Sequence, residues 1–590
     1  MSEALLVRSE LAAPLRAVLG WMLACERAPG ELICPFHKME HTGKSAGAIV
    51  IACALARHDP AADGDELFQV ARRIGLRLVQ RLEREGDSTC FTFRPGRHDP
   101  YNCSNNVIDG GACSDALAEL VRTFGSKLDS AEREACTHAS VHHAQTYLRY
   151  AIMDKGIPAQ KAWAMTGAAG AYSLSGHDVL ELVIREGAAL LAAAQHGDGS
   201  YPYHPAGAEP GHLGASDVSA FYQSRVTGFL LFALERAGLD PQAEPWGEAL
   251  RLGLGFLLGL QGPDGRKVGA IEAKPWYWAG PYEVASHPFD TYALAAGWRV
   301  FRRQELALGA RHSFESWRAH VAADGQVQDH KEGRGRSYQC PLFWAGHASW
   351  MARALPDLHR LWDRAAPPPG GTGAAGMLLS VQHFADADLL RLEDDEVVAW
   401  VRGARPPFNL HHGSPKGAGL LQVARRRDGE LLLRRGHFGG RAEGEWSGAW
   451  GLPSPRRGWA SAGSELRFGW WLARNAWRGG QWMEALGAMP KILLRGVVRG
   501  MSPRATGAFD RSPHLQLLDD GAVVDSRLAL GDGSPIPGTG LLRHFRVDGD
   551  GLVVEEHVQA AARIRRMRYK LPAAARDVVR SEGRLSYRLR

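Results

Sequence analysis

The stretch Gln195-His196-Gly197-Asp198-Gly199-Ser200-Tyr201 decides the fold, because it recurs. Gln261-Gly262-Pro263-Asp264-Gly265 is a second copy and Ala323-Asp324-Gly325 a third. The Asp-Gly spacings are 66 and 60 residues, and a looser copy, Gly86-Asp87-Ser88, lies 111 residues before Asp198. Asp-Gly makes a tight turn, since Gly tolerates positive φ and the Asp carboxylate bonds the backbone just beyond it. Each copy follows an apolar stretch with helical periodicity. Residues 179–194 and 229–237 show the pattern clearly, with apolar positions at i, i+3, i+4 and i+7. Self-similarity at a fixed period means one supersecondary unit stacked on its neighbours. About 60 residues suits a helical hairpin with a long loop, and residues 1–365 hold roughly six of them. The expectation is an (α/α) toroid, with a linear solenoid as the competing arrangement of the same hairpins.

Working outward, the chain breaks at Ala365-Ala366-Pro367-Pro368-Pro369-Gly370-Gly371-Thr372-Gly373. Three prolines remove backbone donors and the glycines add freedom, so residues 366–376 read as a linker. Beyond it the period changes to two. Residues 396–402, 419–424, 430–434, 515–518 and 551–557 are short, often β-branched and punctuated by turn residues. Residues 377–590 are therefore expected to form an antiparallel β-sandwich-like domain. Residues 485–498 are ambiguous between a strand pair and a short helix.

Composition sets the remaining bounds. A hydrophobic share of 45% in 590 residues excludes wholesale disorder. The balance of 70 Lys and Arg against 64 Asp and Glu gives +6, too diffuse for a nucleic-acid binder. The first 31 residues carry Glu3, Arg8, Glu10 and Arg16 among apolar positions, which reads as an amphipathic helix and not a signal peptide. No run of about 18 apolar residues appears, so neither a membrane span nor membrane insertion is expected. The 8 Cys include no CxxC pair, which fits reduced thiols and a cytoplasmic location. Cys34-x2-His37-x3-His41 resembles half a zinc site and His138 with His142 sit at i, i+4, but neither has paired zinc spacing. No metal or cofactor is expected. P-loop, GxGxxG and GxSxG motifs are absent, so nucleotide and α/β-hydrolase chemistry have no support.

In a ring of hairpins the loops at one rim converge, so equivalent repeat positions should face one cavity. Counting forward from each Asp-Gly turn gives four polar and aromatic clusters. The first holds Asn105, Asn106 and Asp109; the second His212, Asp217, Tyr222, Gln223 and Arg225. The third holds Trp276, Tyr277, Tyr282, Glu283, His287 and Asp290; the fourth Tyr338, Trp344 and His347. Each cluster lies near the start of an apolar helix. Structural roles compete at each position: Asp217 suits an N-cap, and Tyr222 with Arg225 suits a packed helical pair.

Helical repeats with Asp-Gly turns and aromatic mouths, a Pro/Gly linker and a strand-rich C-terminal half together resemble the heparinase II/III-like and alginate-lyase-like polysaccharide lyases. The resemblance is architectural and spans most of the chain. It implies a site for an anionic, uronic-acid-containing polysaccharide or oligosaccharide, cleaved by β-elimination. Asn106 would neutralise the uronate carboxylate, Tyr222 would exchange protons, and His412, in Phe408-Asn409-Leu410-His411-His412-Gly413, would act as second base. Arg225 would form a carboxylate fork and the remaining cluster residues would bind substrate. The family's His-x-His-x-Asp-like run has no copy here; Arg435-Gly436-His437-Phe438-Gly439-Gly440 is the nearest. The alternatives are a uronate C5-epimerase, a toroid glycoside hydrolase using carboxylates such as Asp109, Asp217, Glu283 and Asp290, and a non-catalytic glycan-binding or assembly protein.

Overall fold

The computed structural model describes residues 3–91, 104–202, 218–268, 283–328, 341–363, 379–403, 419–434, 443–451 and 503–590, with residues 490, 494 and 501. Within those ranges 36–37, 39, 86–87, 155, 219, 508–509, 511–512, 531–533 and 560–563 are not described. The chain divides into two compact units. The first comprises residues 1–205, 221–258 and 280–371; the second comprises 206–220, 259–279 and 372–590.

The first unit is a ring of helices in two layers. Its helices are α1 (Glu3–Ala24), α2 (Thr42–His58), α3 (Gly64–Gln80), α4 (Ser104–Phe124), α5 (Ser130–His143), α6 (Arg149–Asp154) and α7 (Pro158–Ser175). They continue as α8 (Asp178–Ala194), α9 (Ala220–Arg236), α10 (Trp246–Gly259), α11 (Glu283–Phe301), α12 (Gln304–Arg318) and α13 (Pro341–Asp363). The inner layer is α2, α4, α7, α9, α11 and α13, each packed on the next, and α13 packs back on α2. The ring is closed, which settles toroid against solenoid.

Helix composition explains the two layers. Along α2, residues 42–55 are buried all round, as a helix enclosed by neighbours must be. The outer helix α3 instead buries one stripe, including Leu67, Phe68, Val70, Ala71, Ile74 and Leu78. Asp63 caps α3 by accepting from the amides of Asp65 and Glu66.

The Asp-Gly turns take one shape in all three copies. The carboxylates of Asp198, Asp264 and Asp324 accept from the amides two residues on, at 2.9, 3.0 and 3.0 Å. Gly199, Gly265 and Gly325 have φ of 85°, 79° and 87°, the left-handed region that Gly enters without strain. Each turn follows an outer helix, so the long connections all lead to the N-termini of inner helices. The looser copy at Asp87 falls between the paired strands β3 (Leu82–Glu85) and β4 (Ser88–Phe91), which follow the short pair β1 (Glu26–Ala28) and β2 (Glu31–Leu32).

The second unit is antiparallel throughout its described strands. A meander runs β5 (Ser380–Phe384), β6 (Leu389–Glu393), β7 (Val397–Arg402), β8 (Gly419–Arg425) and β9 (Leu431–Arg434). A four-stranded sheet of order β14-β11-β10-β17 joins β10 (Glu445–Trp450), β11 (Arg504–Thr506), β14 (Ala529–Leu530) and β17 (Ile564–Lys570). A six-stranded sheet of order β12-β13-β15-β16-β19-β18 holds β12 (His514–Leu518), β13 (Gly521–Ser526), β15 (Gly540–Val547), β16 (Leu552–Gln559), β18 (Arg576–Ser581) and β19 (Arg584–Leu589). The meander and the six-stranded sheet share one apolar core, with Leu392, Val397 and Val423 meeting Phe545, Val554 and Tyr587. Alternating burial along β15 and β16 is the period-two pattern of a sheet with one face inward. Asp394 fixes the packing: one carboxylate oxygen accepts from Glu396 and Val397, the other from Gly549 and Gly551. Residues 259–279 belong to this unit, where Trp400 donates to the Gly259 carbonyl at 2.9 Å. Most of 485–498 lies outside the described residues.

Ring closure rests on close helix approach. A methyl on Gly47 of α2 would overlap the Gly346 carbonyl of α13. Gly47→Ala is therefore expected to cost about 2–3 kcal/mol through overpacking. Gly20→Ala, in α1 with nothing within 4 Å of the added carbon, should stabilise by about 0.5–1 kcal/mol. Denaturant unfolding of both variants checks the contrast.

Candidate functional site

The inner helices run parallel, and their N-terminal turns gather charged and aromatic groups inside the ring. Lys44 of α2 donates to Asp109 of α4 at 3.2 Å, both side chains nearly fully buried. The Lys44 ammonium also lies 4.5 Å from the Phe343 ring and 5.7 Å from Trp163, a cation on aromatic faces. The Arg225 guanidinium of α9 sits between Phe221 and Phe289, 3.6 and 3.9 Å from their ring centres. It donates to the Phe221 carbonyl as well.

His347 of α13 completes the group. Its ring stands 4.2 Å from Phe343, 4.8 Å from Phe289 and 6.5 Å from Trp163, centre to centre. Burial, then the charges of Lys44 and Arg225, push its pKa well below the ordinary histidine value. It is a neutral imidazole, with one N–H donor and one acceptor nitrogen. Neither nitrogen has a hydrogen-bond partner among the described residues. Buried polar atoms in native structures are nearly always paired; both nitrogens of His143 likewise lack a partner among the described residues, and what distinguishes His347 is the pair of cations and the aromatic rings around it. The neutral imidazole offers one donor and one acceptor nitrogen to a ligand, and the two fixed cations beside it favour an anion nearby.

Of the expected residues, the structure brings together Asp109, Arg225 and His347. Tyr222 lies beside them, half-buried, its ring 5.1 Å from Phe221 and 5.8 Å from the Arg225 guanidinium carbon. Gln223 is engaged inside the fold: its oxygen accepts from the Tyr201 amide at 2.7 Å and its nitrogen donates to the Tyr201 carbonyl at 3.0 Å. His287 faces the outer layer, where Nδ1 meets Ser313 Oγ of α12 at 3.3 Å. Trp344 is buried against Phe343, and Asp290 is buried in α11. Asn105 and Asn106 fall in the first turn of α4 and Glu283 begins α11, but their side chains lie outside the described residues. His212, Asp217, Trp276, Tyr277, Tyr282, Tyr338 and His412 also lie outside them, as does the segment 435–440. No cluster of three or more metal-ligating side chains occurs among the described residues. His138 and His142 stack on each other at 5.1 Å on α5. No helix among them is long and apolar enough to cross a membrane.

Sequence reasoning missed Lys44 and Trp163. Neither α2 nor α7 is entered from an Asp-Gly turn, so counting from turns passes them by. The available signal for Lys44 was a cation at the very start of a long apolar stretch, Thr42-Gly43-Lys44-Ser45. Trp163, Trp317 and Trp350 are buried in helices. Trp163, Phe229, Phe289 and Trp350 pack together as an aromatic plug across the ring, with Phe229 and Trp350 stacked at 4.2 Å.

No family model matches the chain, and no curated protein does. Similar solved structures exist. A glycosyl hydrolase family 88 protein from Bacteroides vulgatus has a TM-score of 0.42 at 10% identity, covering 59% of this chain and 99% of its own. A cellobiose 2-epimerase from Spirochaeta thermophila has a TM-score of 0.42 at 11% identity, covering 60% and 96%. A type II terpene cyclase from Scytonema, in complex with merosterolic acid A, has a TM-score of 0.35 at 11% identity, covering 60% and 98%. Likenesses this distant assign neither a reaction nor a substrate.

Buried neutral histidines make the ring acid-sensitive. His143, fully buried against Phe91, is pushed down to about 3, chiefly by burial and then by His142. His347 moves the same way. Unfolded histidine takes up a proton near pH 6.5 while the folded state resists, so stability falls as pH drops below about 6.5. Each such histidine adds up to about 1.4 kcal/mol per pH unit to that slope. For His143 the loss continues toward pH 3. His143→Phe should flatten the slope between pH 6.5 and 4.5, measured by urea unfolding at several pH values.

Proposed function

We propose that this protein is a carbohydrate-active enzyme acting on a uronic-acid-containing polysaccharide or oligosaccharide by β-elimination. The observation that carries the reading is the unpaired, neutral His347, caged by aromatic rings beside Lys44 and Arg225 at the N-terminal end of the inner ring. Aromatic walls suit the apolar faces of sugar rings, and fixed cations suit a uronate carboxylate.

In β-elimination the C5 proton leaves as the C4–O4 bond breaks, and a double bond forms between C4 and C5. The proton is acidic enough only when the carboxylate charge is neutralised and the enolate-like charge is held by positioned donors. Asn106, with Asn105, would supply donors to that carboxylate, and Arg225 with Lys44 would lend positive potential from below. Tyr222 would take the C5 proton or hand one to the departing O4, and His412 would serve as second base. Asp109 is held by Lys44 at 3.2 Å.

Incubation with a panel of uronate polysaccharides tests the proposal by ultraviolet absorbance and reducing ends followed together. Elimination yields both signals. Tyr222→Phe is expected to lower kcat by about 100-fold or more, with unchanged thermal unfolding. Reducing ends without absorbance would replace elimination by hydrolysis. With neither signal, solvent deuterium entering C5 would identify epimerisation, and its absence beside intact sugar binding would leave a non-catalytic binder.

A further inference from the structure

The opposite end of the inner ring has a separate chemistry. A cavity of about 420 Å³ opens among the C-terminal halves of α2, α4, α9, α11 and α13. Arg57, Arg122, Arg236, Arg299, Arg353 and Arg360 line it. Arg57, Arg122, Arg236, Arg299 and Arg360 each stand in the last turn of their own helix. Positive charge at a helix C-terminus is favourable in itself, which accounts for one arginine per helix. It does not account for Arg353, which lies inside α13, or for an open volume at the point where they converge.

The charges are not balanced within the site. Arg57 and Arg236 share Glu119, the latter at 2.6 Å. Arg299 bonds Glu235 at 2.9 Å and Asp357 at 3.0 Å, and Arg360 shares Asp357 at 3.1 Å. Arg353 pairs with Asp115. Six arginines thus face four carboxylates, Glu119, Glu235, Asp357 and Asp115. Arg353 is buried, and its Nε has no hydrogen-bond partner. Its guanidinium lies 4.5 Å from the Phe232 ring and 5.1 Å from Trp350. Stacking of that kind fixes the plane of the guanidinium and leaves its edge for a forked acceptor. Burial, and the neighbouring arginine charges, lower the pKa values of Arg57 and Arg353. Like charges held this close are stabilised by an anion between them.

We propose that this arginine-lined cavity binds a small multiply charged oxyanion of the phosphate or sulfate ester class. A tetrahedral oxyanion offers several acceptor oxygens to guanidinium groups converging from different helices, and two charges match the surplus. The volume falls in the range of small-molecule sites. The aromatic plug of Trp163, Phe229, Phe289 and Trp350 separates this cavity from the His347 cage, so the proposal is independent of the reaction at the other end.

Thermal unfolding and calorimetric titration of the full chain test it, with inorganic phosphate, pyrophosphate and sulfate as probes against chloride at equal ionic strength. A saturable rise in Tm that chloride does not reproduce is expected, with one site per chain. Arg57→Gln and Arg360→Gln, whose side chains are 41% and 59% exposed, should each weaken binding about tenfold or more. Anion-free circular dichroism should be unchanged in both. No saturable effect from any probe would overturn the proposal. So would an effect of full strength in the double variant that combines Arg57→Gln with Arg360→Gln. Should the double variant fail to fold, Arg122→Gln, on an exposed side chain, replaces it with the same two outcomes.

Discussion

The closed ring depends on how closely the inner helices approach, and glycine sets that distance. Gly47 of α2 meets Gly346 of α13 backbone to backbone, and this contact joins the last inner helix to the first. Between α4 and α7, a methyl on Gly167 would stand 2.8 Å from the Gly111 Cα, and one on Gly111 would stand 2.7 Å from the Trp163 carbonyl oxygen. Glycine inside a helix costs about 1 kcal/mol relative to alanine. That cost is offset because close backbones let six helices enclose a narrow axis, plugged at its middle by Trp163, Phe229, Phe289 and Trp350. The abundant glycine of the sequence, without any three-residue period, has its meaning in these seams.

Once the ring is closed, helical periodicity divides its axis into layers. Along α9 the inward stripe runs Arg225, Phe229, Phe232, Arg236; along α13 it runs His347, Trp350, Arg353, Asp357, Arg360. Steps of three and four residues keep each stripe on one face. The same helices therefore present cations and a histidine at their N-terminal ends, aromatic rings in the middle, and arginines at their C-terminal ends. The two polar layers differ in access. Lys44, Asp109, Arg225 and His347 are buried, whereas Arg57 and Arg360 reach solvent.

Local chemistry was the legible part of the sequence. An Asp-Gly pair specifies its turn through bonds two and three residues away, so three copies adopt one geometry and their period reports the hairpin. Strands 396–402, 419–424, 430–434, 515–518 and 551–557 were readable for the same reason, since short β-branched runs bounded by turn residues are local signals; burial alternates along β16, whereas β7 is buried at every position. Ring closure was not, because it depends on Gly47 meeting Gly346 across nearly 300 residues, and nothing in local pattern pairs two glycines. Gln223 and His287 had the residue types of a site and the right position along their helices. The helix angle sent the first to the Tyr201 backbone and the second to Ser313.

The arginine positions show why one repeat can hide another. Arg57 to Arg122 spans 65 residues, Arg236 to Arg299 spans 63, and Arg299 to Arg360 spans 61. This is the Asp-Gly period, displaced to the far end of the inner helices. A turn motif announces itself because two adjacent residues are both unusual, whereas a lone arginine at a helix end is what the macrodipole favours anyway. Only the ring turns five such ends into one locus, where charges that would be harmless apart must be compensated together. Four carboxylates do part of that, and each added carboxylate would have to be brought in with its own desolvation cost. A soluble anion brings its charge only when bound, so a surplus of arginines around an open volume is stable chemistry for a site and poor chemistry for a core.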